Sequence, residues 1–106
     1  MSRTHLAARA TPPDALRRAE HCAEVLKAVA HPLRLRIVAI LCEGDEHVNG
    51  LAERLDAPQA IVSQQLRILR MRGLVEAVRE GGFATYRLRE TNLRALVSTV
   101  ERCSAR

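Results

Sequence analysis

Two groups of chemically competent side chains stand out in this sequence: a cluster of amides, a hydroxyl and guanidiniums near its middle, and three well-separated cysteines. Within Gln59–Gly73, Val62, Leu66 and Leu69 follow the i, i+4, i+7 spacing of one apolar helical stripe. The side chains outside this stripe suit a nucleic-acid surface, because Gln can bond adenine edges, Arg guanine or phosphate, and Ser bases or phosphates. The residues predicted to form this surface are Gln59, Ala60, Ser63, Gln64, Arg67 and Arg70. Standing alone, the stretch would fit an ordinary amphipathic helix with a polar outer face equally well.

The residues before this stretch predict a second short helix joined to it by a tight turn. Asn49 can cap a helix over 50–55, in which Leu51 and Leu55 point inward. The following turn ends in Pro58, a residue suited to the start of the next helix, and Gly73 can end that helix in a left-handed conformation. Two short helices in this arrangement, the second bearing the polar face, indicate a helix-turn-helix.

After Gly73 the apolar period changes from helical to alternating. Residues 74–79 and 83–88 flank Glu80-Gly81-Gly82, whose glycines supply the positive φ that a hairpin turn requires. A hairpin at this place predicts a wing, with Tyr86 and Leu88 facing inward. Residues 59–89 also concentrate the basic charge, and Arg79 of the wing is a predicted phosphate contact. The arginines of this region are Arg67, Arg70, Arg72, Arg79, Arg87 and Arg89, against Glu76 and Glu80.

Three further helices are predicted around this unit. The first begins with Asp14 as its N-cap and runs to about Ala30, the second runs over 32–42 as the most apolar segment, and the last begins near Asn92. Residues 1–13 are predicted to be a flexible arm and 14–106 a single domain. Apolar seams on the first and last helices predict the contact of a homodimer. The predicted interface residues are Leu16, Ala19, Leu26, Leu93, Leu96, Val97 and Val100.

Length and composition narrow the functional classes. The chain has 106 residues, 47% hydrophobic residues, only Phe83 and Tyr86 as aromatics, and a formal net charge of +5. The expected core is therefore aliphatic and helical, and the expected partner is a polyanion rather than a single strand stacked on aromatic rings. No apolar run approaches the ~20 residues of a membrane span, and no signal core is present, so a cytoplasmic location is expected. No Ser or Cys is grouped with a base and an orienting acid, so an enzyme is not expected.

The cysteines allow three interpretations. Cys22 and Cys103 extend apolar seams, where a free cysteine acts as a small hydrophobic residue, and Cys42 at a helix end could be equally inert. A Cys42–Cys103 redox switch is the second interpretation. A thiolate site for a soft metal or metalloid such as As(III), built from two or three of the cysteines, is the third. The helix C-terminus disfavours a Cys42 thiolate, unless Arg34 or Arg36 compensates.

The whole pattern resembles the ArsR/SmtB family of bacterial winged-helix repressors. The segment 26–37, LKAVAHPLRLRI, is similar to the family's LKALAHPxRLxIL motif. Further matches lie at 48–52 with Leu55, at 62–66, at Leu69 with 73–75, and at 79–81 with Tyr86 and Leu88. The resemblance covers roughly residues 16–103. It implies a mainly α fold of five helices with a β-hairpin wing, and a homodimer formed by the first and last helices. It also implies binding to a pseudo-palindromic double-stranded operator that is released by an inducer; the alternative for this fold is a winged helix used only for protein contacts.

The resemblance also indicates where an inducer would be sensed. The stretch that matches a CVC-type metal site, 50–55, contains no cysteine, and no histidine follows His47, so neither familiar zinc-type site is expected. Some relatives sense persulfide or oxidant through one thiol on the second helix and one near the end of the last. Cys42 and Cys103 match that arrangement, although Cys42 lies about one turn beyond the usual position, which Ala39 occupies.

Overall fold

The fold was analysed in a computed structural model that describes residues 13–104. Of the predicted arm, residues 1–13, residues 1–12 lie outside the described residues, and Pro13 is the first residue of a helix. Within residues 13–104, five helices and three strands follow one another. Their bounds are α1 Pro13–Val29, α2 Pro32–Glu43, β1 Glu46–His47, α3 Val48–Leu55, α4 Gln59–Met71, β2 Val75–Glu80, β3 Phe83–Leu88 and α5 Leu93–Ser104. The predicted five-helix fold with a hairpin wing is therefore confirmed.

Helix α2 is the centre of the core, and α1, α3, α4, α5 and β3 all pack against it. Ile37, Val38 and Leu41 of α2 are almost completely buried, as its apolar sequence predicts. The buried core side chains are all aliphatic, as expected for a chain with only two aromatic residues. The other core side chains are Ala28, Val29, Ile40, Leu51, Leu55, Val62, Leu66, Leu69, Leu74, Val75, Leu93 and Val97.

The turn between α3 and α4 is set by backbone hydrogen bonds. Asp56 adopts the left-handed conformation, with φ 52°. The N–H groups of Asp56 and Ala57 donate to the carbonyl oxygens of Glu53 and Ala52, which closes the last turn of α3. Pro58 follows as the N-cap of α4. Three residues therefore separate the two helices, as a helix-turn-helix requires.

The wing is a three-stranded antiparallel sheet in the order β1-β3-β2. Gly81 and Gly82 both have positive φ and form a two-residue turn between the paired residues Glu80 and Phe83, which confirms the predicted hairpin. Strand β1 was not predicted. It adds to the free edge of β3, through pairs such as Glu46 with Tyr86.

Two predicted helix starts are wrong. Asp14 is the second residue of α1 rather than its N-cap, and there its charge favours the helix dipole. Asn49 lies inside α3, whose N-cap is His47. The pairing of β1 with β3 holds His47 in an extended conformation, so the chain can turn into the helix only at Val48.

Candidate nucleic-acid interface

Helix α4 separates its two kinds of side chain by face. Val62, Leu66 and Leu69 are almost completely buried against the core. The six side chains predicted to form a nucleic-acid surface on this helix are all exposed: Gln59, Ala60, Ser63, Gln64, Arg67 and Arg70. The buried stripe fixes the rotation of the helix about its axis and so determines which side chains face outward.

The C-terminal end of α4 is closed by two backbone hydrogen bonds around Gly73. Gly73 has φ 76°, its N–H donates to the carbonyl oxygen of Arg70, and the N–H of Leu74 donates to that of Leu69. This is a Schellman motif, and Leu69 and Leu74 are both buried beside it. The predicted role of Gly73 is thereby confirmed, and the motif directs the chain straight from α4 into the wing.

In the described part of the chain, two side-chain contacts join α4 and its C-cap residue, Arg72, to other helices. Arg34 Nη1 of α2 donates a hydrogen bond to Gln65 Oε1 at 2.9 Å, while Arg34 Nε donates to the carbonyl oxygen of Ala28 at 2.6 Å. Arg72 Nη1 lies 2.8 Å from Glu24 Oε1 on α1. Neither contact could be predicted from the sequence, because the partners are far apart along the chain.

The basic charge of this surface is distributed unevenly. Arg87 Nε lies 2.7 Å from Glu76 Oε2 across the wing, and the hydrogen bond to Glu76 raises the pKa of Arg87 above its usual value. Arg72 is paired with Glu24. In the described part of the chain, the other four arginines of this surface form no salt bridge: Arg67, Arg70, Arg79 and Arg89. These are the cations whose charge is fully available to phosphates.

The wing tip carries an exposed aromatic ring that the sequence analysis did not assign to the surface. Phe83 follows the glycine turn and is 66% exposed. Its ring centroid lies 5.9 Å from that of His47, and His47 Nδ1 lies 3.4 Å from the carbonyl oxygen of Ala84. The contact ties the tip of the wing to the start of α3.

The three cysteines are free and differ in their surroundings. Cys22 on α1 and Cys103 on α5 are exposed, whereas Cys42 near the end of α2 is half-buried. Burial raises the pKa of the Cys42 thiol, Arg94 opposes that effect, and Glu101 and Glu43 add to it. The cation that lowers the Cys42 pKa is Arg94 and neither Arg34 nor Arg36. The Arg34 guanidinium instead donates to the carbonyl oxygen of Ala28 and to Gln65 Oε1.

The three cysteines are not assembled into one ligand set. Within residues 13–104, no three His, Cys, Asp or Glu side chains are placed to hold a metal ion together. A three-thiolate As(III) site is therefore not formed inside one protomer.

The predicted dimer surface divides into exposed and buried residues. Leu16 and Leu26 of α1 are 53% and 50% exposed, and Val100 of α5 is also exposed. Leu93 and Val97 are almost completely buried inside the protomer, because α5 packs that side of the helix against α2. Assigning those two residues to a dimer surface was wrong, since they have no area left for a partner.

A groove of about 290 Å³ runs between α1 and the start of α5. Apolar side chains form most of it, and at one side His21 Nε2 lies 3.5 Å from Glu90 Oε2. Its lining residues are His21, Cys22, Val25, Leu26, Glu90, Asn92, Leu93 and Leu96. The groove therefore continues the exposed apolar surface that Leu26 begins.

None of the helices in the described part of the chain combines the length and the apolar character needed to span a membrane.

Comparisons with known proteins all find similarity to bacterial transcriptional regulators. The family model for the bacterial regulatory protein, arsR family, matches residues 31–77, which run from the N-cap of α2 into the wing. A biofilm growth-associated repressor of Xylella fastidiosa is 38% identical over 90 residues, covering 85% of this chain and 79% of that protein.

Two solved structures share the fold over most of the chain. The crystal structure of the transcriptional repressor BigR from Xylella fastidiosa matches with a TM-score of 0.81 at 35% identity, covering 92% of this chain and 99% of that one. The homodimeric winged helix-turn-helix DNA-binding domain Mb0332 from Mycobacterium bovis matches with a TM-score of 0.73 at 29% identity, covering 89% and 87%.

Proposed function

Because the chain belongs to the ArsR family of bacterial regulatory proteins, we propose that it is a dimeric transcriptional repressor that binds a pseudo-palindromic operator in the cytoplasm. The observation that carries this proposal is the exposed polar face of α4, held outward by a fully buried opposite face. A helix 10–12 Å across fits the major groove of about 12 Å. The similar proteins described as repressors support the direction of regulation.

Each exposed side chain of α4 has a role in this proposal. Gln64, and Gln59 near the helix start, suit adenine edges, and Ser63 suits a base or a phosphate. Arg67 and Arg70 suit guanine edges or phosphates, and Ala60 leaves room for a thymine methyl group. Arg79 of the wing would add a phosphate contact beside the groove.

Dimerisation follows from the exposed apolar residues of α1 and α5. Leu16, Leu26 and Val100 would be covered by the same surface of a second copy, together with Ala19 and Leu96. A two-fold dimer carries two α4 helices and reads two inverted half-sites. The homodimeric Mb0332 domain supports this assembly.

Selection from a random-sequence duplex library tests the proposal. Repeated capture on the protein, followed by sequencing, should enrich a two-fold symmetric site. Affinity for that site should also fall steeply with added salt, because several Arg–phosphate contacts release counterions. No enrichment, together with binding that is insensitive to salt, would instead favour a winged helix used for protein contacts.

We further propose that the operator is released when Cys103 reacts. Cys103 is exposed near the end of α5. An oxidant that takes two electrons would join its sulfur to that of a second thiol as a disulfide, with release of both thiol protons, and this bond would pull a helix of the proposed dimer interface. Cys42 is the proposed partner thiol, since α2 and α5 pack together. The thiolate is the attacking form of cysteine, so the raised pKa of Cys42 disfavours this thiol as the first to react.

The Cys103→Ser variant tests the sensing proposal. Wild-type protein, Cys103→Ser and Cys22→Ser are bound to the selected duplex and treated with persulfide, oxidant or arsenite. The proposal expects Cys103→Ser to stay bound while Cys22→Ser is released like the wild type. If only the arsenite response is lost, and in both variants, a metalloid site shared between cysteines is supported. If all three proteins respond alike, the cysteines are packing residues.

A further inference from the structure

Arg34 connects three helices, because its one guanidinium on α2 bonds to residues of α1 and α4. From α2, its Nε donates to the carbonyl oxygen of Ala28 in the last turn of α1, and its Nη1 donates to Gln65 Oε1 on α4. Both bonds are part-buried. The carbonyl groups of a last helical turn have no partner within their own helix, so Arg34 also closes the end of α1.

Gln65 differs from the other two glutamines of α4, Gln59 and Gln64. Gln59 and Gln64 are exposed, whereas Gln65 is half-buried and its Oε1 accepts the bond from Arg34. Its amide oxygen is therefore already engaged by a residue of the protein. Gln64 and Gln65 therefore have different roles: Gln64 is available to bases, and Gln65 connects α4 to α1 through Arg34.

A second contact repeats the same connection further along the helix. Arg72, directly after α4, lies 2.8 Å from Glu24 of α1, but both side chains are about half exposed. An exposed ion pair contributes little, while a part-buried bond from a charged donor contributes more. Of these two polar connections, the one through Arg34 is therefore the stronger.

We propose that Arg34 is a positioning residue that sets the spacing of the two half-sites, by fixing the recognition helix α4 relative to the dimer helix α1 through Gln65. This inference rests on the proposed dimeric operator binding. In such a dimer, α1 is fixed at the two-fold axis. The position of α4 relative to α1 therefore determines where the exposed polar faces of the two α4 helices lie. Inserting one base pair moves a half-site by about 3.4 Å and rotates it by about a tenth of a turn. A helix held by Arg34 cannot follow that movement without losing the bond.

The test compares spacing rather than overall affinity. The two-fold site selected from a random duplex library with wild-type protein is rebuilt with its half-sites unchanged and its centre lengthened or shortened by one base pair. The spacing ratio of each protein is its dissociation constant on a lengthened or shortened duplex divided by its dissociation constant on the selected duplex. This ratio cancels uniform losses of affinity and of active protein. If the wild type selects no two-fold site, the proposed function and this inference are overturned together, whereas the results named below overturn the inference alone.

Gln65→Ala is the informative variant, because Arg34→Ala also removes the closure of α1 and could fail to fold. The spacing ratio should fall about tenfold, the factor that a hydrogen bond from a charged donor represents. Gln65→Glu keeps an acceptor for Arg34 and should retain the wild-type ratio even if its overall affinity is lower. Arg36→Ala removes an exposed arginine from the same helix and serves as the matched control, with an unchanged ratio.

Two results would overturn the inference. If Gln65→Ala lowers affinity equally on all three duplexes, Arg34 and Gln65 contribute to stability without setting the spacing. If selection with Gln65→Ala enriches a different half-site sequence at the same spacing, Gln65 reads bases directly. Arg34→Ala, if its circular dichroism spectrum matches the wild type, should reproduce the spacing ratio of Gln65→Ala.

Discussion

Arg94 Nη1 donates a hydrogen bond to the carbonyl oxygen of Cys42, so the second residue of α5 closes the C-terminal end of α2. The bond joins the two helices that carry the proposed thiol pair. The same guanidinium favours the thiolate form of Cys42, against the stronger opposing effect of burial. Arg94 therefore affects both the packing of α5 and the chemistry of the thiol beside it.

Replacing Arg94 with Met should make Cys42 less reactive. Burial already raises the Cys42 pKa, and removing the positive charge raises it further, so a smaller fraction is thiolate at any given pH. Iodoacetamide alkylation measured by mass spectrometry against pH should show the Cys42 profile shifted to higher pH in Arg94→Met. The profile of Cys22, on the other terminal helix, is the internal control and should not move. A Cys42 profile shifted to lower pH would contradict the assigned effect of Arg94.

The Gln64→Ala change should remove sequence discrimination. A bidentate amide–adenine contact contributes about 1–3 kcal/mol of specificity, so affinity for the selected site should fall by that amount while affinity for random duplex changes little. Fluorescence anisotropy on both duplexes measures the difference. Equal losses on the two DNAs would show that Gln64 does not read a base.

Arg79→Ala and Arg87→Ala form a matched pair on the wing. Arg79 has no salt bridge among the described residues, whereas Arg87 is already paired with Glu76. Arg79→Ala should weaken binding to selected and random duplex alike and reduce the salt slope by about 1. Arg87→Ala should change the slope less. A larger effect from Arg87 would mean that its pair with Glu76 opens on DNA.

Leu26→Asp should convert the dimer into a monomer. Leu26 is half exposed, so the protomer tolerates a charge there, but an interface would have to bury it at a cost of several kcal/mol. Sedimentation velocity measures the change, and DNA affinity should fall with the lost second half-site. Ile61→Asp, an exposed apolar residue on α4, is the control and should remain dimeric. A Leu26→Asp dimer would place the interface elsewhere.

Local signals explain the parts of the fold that the sequence predicts correctly. Gly73, Gly81 and Gly82 adopt positive φ. Each lies within a few residues of the helix it ends or the strands it joins, so a short stretch of sequence is enough to predict the turn. The apolar stripe of α4 likewise fixes its buried face. These local rules suffice for the helix-turn-helix and for the hairpin.

Features that depend on distant partners were missed for a physical reason. Strand β1 has two residues, too few to show a period, and its partner is β3 at the far side of α3 and α4. The apolar residues of α5 form a single seam, and only the position of α2 decides that Leu93 and Val97 within it face inward. The bond from Arg34 to Gln65 leaves no mark on the sequence, because any arginine and any glutamine satisfy the same pattern.

The short strand β1 also affects how the domain unfolds. The pairing of Glu46 with Tyr86 closes a loop of the chain that contains all of α3, α4 and β2. Closing this loop costs conformational entropy, and that cost is offset only when the enclosed elements are folded. The contact of His47 with Phe83 strengthens the same closure. Local opening of the wing therefore releases the restraint on the helices, and opening of the helices releases the wing. The reading helix and the wing should consequently exchange their amide hydrogens as one cooperative unit, with a common free energy of opening.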